Sequence, residues 1–289
     1  MLLDERLKSH IERVLNVPII SAIALSGGDT ASVLKLDTSD GLSYVLKYGR
    51  SNITQNSFEA EANGLDLISK TNTIATPRII NFGLHSDMAY ILMAHIASKS
   101  PGPEDFYELG IQLSKLHKYN GEAFGLEYDN FIGSLLQKNE PSENWTTFYS
   151  EQRLGYQLKL ALKKGLLNSS EIPLPQDIKS TFESFCHTIK PALLHGDLWS
   201  GNFIIAEDGV PYLIDPAVYF GHSEVDIAMS KLFGGFHPVF YEAYYSINPK
   251  TDFHVERIDL YQLYYLLVHL NIFGRSYYGS VKRILTSYF

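Results

Sequence analysis

The chain has 289 residues but only one cysteine, Cys186, which excludes an intramolecular disulfide. No Cys/His spacing resembles a zinc site, so a reducing, cytoplasmic setting is expected. Charge is also scarce: 19% of residues are Asp, Glu, Lys or Arg, against about a quarter in an average protein. Twenty-four basic residues face 32 acidic ones, for a net charge of −8. No Lys/Arg cluster tracks a phosphate backbone, which disfavours nucleic acid as a partner. Long apolar runs are missing too. The longest, Val17 to Leu25, falls far short of the roughly 20 residues that span a bilayer. Asp4 and Glu5 stand where a secretory leader carries basic residues, so no export signal or membrane anchor is expected. Internal repeats, low-complexity tracts and a G-x-x-x-x-G-K-[ST] phosphate loop are likewise absent.

What the chain does have is material for a core, being 45% hydrophobic and 13% aromatic. Leu3, Leu7, Ile11, Val14 and Leu15 recur at helical spacing, predicting an amphipathic first helix that ends near Pro18. Runs at 19–25, 31–36 and 42–48, separated by Ser26-Gly27-Gly28-Asp29 and Ser39-Asp40-Gly41, read as an antiparallel meander. A helix is expected over 58–70, then strands over 78–82 and 88–93. Past the turn-rich Ser98–Pro103 the period becomes helical, with helices predicted at 104–117, 145–166, 175–187, 224–234, 237–245 and 256–273. A hairpin at 203–214 is set among them. The fold class is therefore α+β and two-lobed: a small antiparallel β-sheet lobe with one inserted helix at 1–96, and a larger, mainly helical lobe at 97–289.

The segment His195-Gly196-Asp197-Leu198-Trp199-Ser200-Gly201-Asn202 carries the chemistry. Asp208-Gly209 signals a two-residue type I′ turn between apolar runs. In that register paired residue numbers sum to 417, setting Asn202 opposite Asp215. Two carboxylates, Asp197 and Asp215, and the Asn202 amide oxygen suit a hard divalent cation such as Mg2+ that keeps phosphate oxygens in its remaining positions. D-x4-N with an Asp thirteen residues further on is also the arrangement of a kinase catalytic loop, where the first Asp accepts the substrate hydroxyl proton. Glu61 shares a helical stripe with Phe58, Leu65 and Ile68, so this buried carboxylate needs a cation, which Lys47 on the third strand can supply. Gly27 and Gly28 can bring backbone N–H groups to phosphates. Met93, Ala94 and Ile96 lie where a strand runs into the connector, placed for an adenine to bond with hinge backbone. Plain structural readings stand beside these: a β-turn at Gly27-Gly28, a core indole for Trp199, a lobe-fixing role for His117 at the end of its helix, core packing rather than a substrate wall for His269 and Asn271, and a buried small hydrophobe for Cys186.

Taken together, HGDLWSGN (195–202), LIDPAVYFGHSEVDIAM (213–229), KLFGGF (231–236), YQLYYLLVHLNIFG (261–274), FEAEANGL (58–65) and DNFIGSLLQKN (129–139) resemble the fructosamine kinase (ketosamine-3-kinase) family, relatives of the aminoglycoside phosphotransferases. The resemblance implies a bilobal protein-kinase-like fold and ATP-dependent, Mg2+-assisted phosphorylation of a sugar hydroxyl on ribulosamine or fructosamine adducts, free or protein-bound. It implies Asp197 as general base, Asn202 and Asp215 as metal ligands, and Lys47 with Glu61 as the phosphate-orienting pair. Trp199 and His222 fall to the acceptor, and Asp226 braces the catalytic loop. Ser223 departs from the basic residue many family members carry there. The alternatives are a kinase of aminoglycosides or choline on the same fold, or a nucleotide-binding pseudokinase. A monomer is compatible with the sequence, which does not fix the oligomeric state.

Overall fold

A computed structural model of the chain describes residues 3–25, 31–50 and 52–289. They group into two compact units: Met1–Ser100 with Ile204–Asp215, and Pro101–Phe203 with Pro216–Phe289. The hairpin that the sequence places among the C-terminal helices thus groups with the N-terminal unit.

The first unit comprises α1 (Glu5–Leu15), β1 (Ile19–Ala24), β2 (Ser32–Thr38), β3 (Ser43–Gly49), α2 (Asn52–Lys70), β4 (Ile79–His85) and β5 (Met88–Ala94). The strands form one antiparallel sheet in the order β1-β2-β3-β5-β4. Asp4 caps α1 by accepting from the Arg6 and Leu7 amides, and Asn16 ends it in the left-handed region at φ 56°. Leu7 and Ile11 of α1 then pack on Leu34, Leu36, Leu46 and Leu92. On the opposite face, Phe58 and Ala62 of α2 cover Ala89, Ile91 and Met93. Covered on both sides, β5 reads as an unbroken apolar run rather than an alternating one. The helix α2 begins at Asn52, earlier than the predicted Phe58, because residues 52–57 carry no apolar period.

The hairpin corrects a sequence expectation. Its strands, Phe203–Ala206 and Pro211–Leu213, close around Glu207-Asp208-Gly209: Ala206 N–H donates to Val210 O (2.9 Å) and Gly209 N–H to Ala206 O (2.8 Å). Gly209 is left-handed at φ 89°, and Asp208 Oδ1 accepts from Val210 N–H at 3.1 Å. This is a type I turn with a glycine bulge, not a type I′ turn. Ala206 pairs with Val210, so the register that set Asn202 opposite Asp215 is out by one residue.

The second unit is built on α3 (Pro103–Leu116), α4 (Trp145–Phe148), a π-helical turn at Tyr149–Gly155, α5 (Tyr156–Lys163), α6 (Pro175–Phe185), α7 (Glu224–Leu232), α8 (Pro238–Ile247), α9 (His254–Phe273) and α10 (Tyr278–Tyr288). The long helix predicted at 145–166 is therefore interrupted by the π turn and ends three residues early, and α10 was not predicted. α3 lies so close to α8 that a Cβ at Gly110 would stand 2.4 Å from the Phe240 carbonyl oxygen. α7 packs on α9, whose Tyr261, Tyr264 and Tyr265 are completely buried. Among the described residues no helix is long and apolar enough to cross a membrane.

Candidate active site

In the first unit Lys47 pairs with Val33 on one neighbouring strand and Ile91 on the other. Its neighbour Leu46 faces α1, so strand alternation turns Lys47 toward α2. Its ammonium donates to Glu61 Oε1 at 2.7 Å and also pairs with Asp215 Oδ1. Burial opposes the lysine charge, but the two carboxylates outweigh it and hold the ammonium well above its ordinary range. Burial, joined by the Asp215 charge, pushes the Glu61 carboxyl up in spite of Lys47. Both shifts are upward: at Lys47 the two carboxylates outweigh burial, and at Glu61 burial with the second carboxylate outweighs the one cation they share. The predicted Lys47–Glu61 pair is present, and the predicted metal ligand Asp215 joins it.

Asp215 has φ 53°, a left-handed conformation uncommon for a residue with a Cβ. Its side chain remains 42% exposed while that of Lys47 is 13%. Met93 is buried beneath α2. The Ala94 N–H donates to Arg78 O at 2.9 Å and the His95 N–H to Ser43 O at 3.1 Å; half-buried Ile96 follows. Gly27 and Gly28 lie outside the described residues.

In the second unit the Asp197 turn follows a short strand, Ala192–Leu194, paired with Tyr219–Gly221. Asp226, fully buried at the start of α7, accepts from His195 N–H (2.7 Å) and Gly196 N–H (2.8 Å). His117 bonds the same carboxylate through Nε2 at 3.0 Å and Tyr244 OH through Nδ1 at 2.7 Å. Burial alone would raise the Asp226 pKa, but these hydrogen bonds and the neighbouring imidazoles lower it. Asp226 thus braces the loop as expected, and His117 serves the brace.

Gly196 is left-handed at φ 84°, and a Cβ there would stand 2.0 Å from Ala217 O. Tyr265 OH donates to Gly196 O at 2.8 Å. The turn delivers Asp197, whose backbone oxygen and carboxylate both accept from Asn202 Nδ2 (2.9 and 3.1 Å). The amide nitrogen of Asn202 is thereby engaged, and its oxygen is the donor atom suited to a cation. Trp199 is 40% exposed, which sets aside the core-indole reading, and its ring lies against Gly201, where a Cβ would be 2.3 Å away.

His222 pairs through Nδ1 with Tyr261 OH at 2.8 Å, edge-on to the rings of Trp145 and Tyr261. Burial drives its pKa down to about 4. Asn271 is a core residue that donates to the Gln157 side chain and backbone. The Tyr265 contact was not foreseen; the aromatic pattern of α9 marks burial but not which hydroxyl reaches a turn.

An antiparallel sheet carrying a Lys–Glu pair, with a helical unit presenting an Asp-x4-Asn turn, defines a protein-kinase-like fold. The fructosamine kinase family matches residues 4–289, and the chain belongs to it. A "Probable ketoamine kinase" of Vibrio parahaemolyticus is 37% identical over 261 residues, 90% of this chain and 89% of its own. The chloroplastic protein-ribulosamine 3-kinase of Arabidopsis thaliana is 39% identical over 276 residues, 93% of this chain and 83% of its own. A crystal structure from Haemophilus somnus, provisionally named fructosamine-3-kinase, superposes with a TM-score of 0.88 at 28% identity, covering 98% of this chain and 96% of that one.

Proposed function

We propose that the chain is an ATP-dependent kinase that phosphorylates a sugar hydroxyl of ketosamines, the rearranged adducts of sugars with amines, free or on protein lysines. The observation that carries this reading is the Asp197 turn, held by Asp226 below and Asn202 beside it, in a chain of the fructosamine kinase family. Phosphoryl transfer is mostly positioning and electrostatics. Lys47, oriented by Glu61, binds donor phosphate oxygens, while Asp197 orients the attacking hydroxyl and takes its proton. The residues that would hold Mg2+ are Asn202, through its amide oxygen, and Asp215, through its partly exposed carboxylate, donor types that suit a hard cation. Magnesium would supply charge neutralisation on the transferring group. Ala94 and His95 donate their amides to Arg78 O and Ser43 O, which leaves Ile96 as the hinge residue whose N–H meets adenine. Exposed Trp199 packs on the sugar of the acceptor and His222 borders it. Phosphorylation destabilises the adduct, so the role is deglycation repair in the cytoplasm.

The test is incubation with Mg-ATP and a panel of ribulosamines and fructosamines, with aminoglycosides and choline alongside, and NMR location of the phosphate on any product. Transfer to a ketosamine hydroxyl is expected. Transfer only to an aminoglycoside or choline overturns the substrate reading, and ATP binding without transfer to any acceptor overturns the kinase reading.

A further inference from the structure

The second unit contains a buried polar network built around a cation with no acid. Arg153, on the π-helical turn, is completely buried. Its guanidinium lies 4.0 Å from the Tyr219 ring centroid and 4.6 Å from that of Phe148. It donates to Asn139 Oδ1 at 2.7 Å and to Lys138 O, and among the described residues no Asp or Glu is paired with it. Asn139 Nδ2 and Gln137 Nε2 both donate to Asn130 Oδ1, at 2.9 and 2.8 Å. Tyr264 OH donates to Gln137 Oε1 at 2.7 Å, fixing which way that amide points. Burying a charge and three amides contributes little net stability, since apolar side chains of the same volume do as well. What the hydrogen bonds of such a network supply is geometry, even though Arg153 Nε and Tyr219 OH are buried without a partner.

Its outputs converge on three consecutive residues. Gln137 Nε2 donates to Ala217 O at 3.0 Å, Asn130 Nδ2 donates to Val218 O at 2.7 Å, and Arg153 holds the Tyr219 ring. Ala217 in turn donates its N–H to His195 O at 2.8 Å. Its carbonyl is the surface that Gly196 rests on, with no room for a Cβ. A displacement of Ala217 is therefore a displacement of the turn that carries Asp197.

We infer that Gln137, oriented by Tyr264, is a positioning residue for phosphoryl transfer, acting on Asp197 by holding the Ala217 carbonyl. The inference rests on the proposed function for its kinetic consequence but not for its structural one. Misplacing a reacting group by about 1 Å costs on the order of 100-fold in rate. Gln137→Leu is accordingly expected to lower kcat by about 10- to 100-fold, with KM for ATP and for ketosamine within about twofold. Tyr264→Phe, which frees the amide without emptying the site, should shift kcat in the same direction by less, and it decides the matter if Gln137→Leu does not fold. Asn271→Leu disrupts a buried amide on the same helix with no link to Ala217, so it should lower Tm and leave kcat. Hydrogen exchange at the His195 and Gly196 amides should quicken in the first two variants and not in the third. Unchanged kcat in Gln137→Leu and Tyr264→Phe, an equal loss in Asn271→Leu, or unchanged exchange at 195–196 overturns the inference. If the wild-type chain phosphorylates no ketosamine, the proposed function falls, and the exchange measurement still decides whether Gln137 holds the turn.

Discussion

Asp197 and Lys47 occupy different units and are assigned different halves of one reaction, so their substitutions should separate cleanly. Asp197→Asn keeps the shape of the side chain and its neighbour Asn202 but cannot accept a proton. Turnover of a ketosamine should fall by about 10²- to 10⁴-fold, with ATP affinity by calorimetry nearly unchanged. Comparable turnover in variant and wild type would remove Asp197 from the role of base. Lys47→Met acts on the donor side. It leaves the buried Glu61 and neighbouring Asp215 facing each other without the cation they share, at a cost of about 3 kcal/mol. Urea unfolding should show that loss together with weakened nucleotide binding. Adding Glu61→Leu should recover part of the stability but none of the binding. If stability did not recover, the ion triad would not be the source of the loss.

Among the elements, the Asp197 turn depends on a glycine as well as on the Asp226 carboxylate. Gly196 is left-handed and its missing Cβ is the space taken by Ala217 O. Gly196→Ala should lose about 1–3 kcal/mol from backbone conformation alone, and the backbone contact behind it cannot yield as a flexible side chain would. Activity should vanish while the Lys47 region still binds ATP; a variant with wild-type Tm and turnover would contradict the geometry. This element also shows how far sequence reading reaches. The sheet strands and most helices were legible because their apolar periods are local, and so was the pairing of Glu61 with Lys47, which needs only one helix stripe and one strand face. The Lys47–Asp215 contact joins positions 168 apart in sequence, and no local pattern encodes it. The hairpin loop was misread because Asp-Gly serves both a two-residue turn and a three-residue turn with a glycine bulge. The π turn was hidden because one extra residue per turn leaves the apolar positions close to helical spacing. The amides of Asn130 and Gln137 read as polar residues of a loop, with no sign that they are buried.

For the molecule as a whole, the buried titratable groups of the second unit set its response to acid. Burial depresses the His222 pKa to about 4, despite the nearby Glu224 carboxylate that favours its charge; Arg257, His117 and His254 also face it and disfavour that charge. Glu224 is held down at about 2: burial works against its charge, but the hydrogen bonds from His254 and Arg257 prevail. The signs agree. For His222 the folded state resists a proton that the unfolded chain accepts near 6.5, so its contribution is present above that pH and lost as pH falls toward 4. For Glu224 the folded carboxylate stays ionised where the unfolded one protonates near 4.5, so its contribution is lost between there and about 2. In the first unit Glu61 runs the other way, because its raised pKa favours the folded state at low pH and that advantage fades as pH rises. Stability of the second unit should therefore decline continuously from pH 6.5 downward, with His222 accounting for on the order of 3 kcal/mol of the upper limb. Thermal unfolding across pH 7 to 3.5 should show this slope. His222→Gln, which keeps a partner for Tyr261 OH but cannot take up the proton, should flatten the limb between 6.5 and 4 and leave the lower one. A variant whose Tm followed the wild-type curve through that interval would show that His222 titrates alike in the folded and unfolded chain.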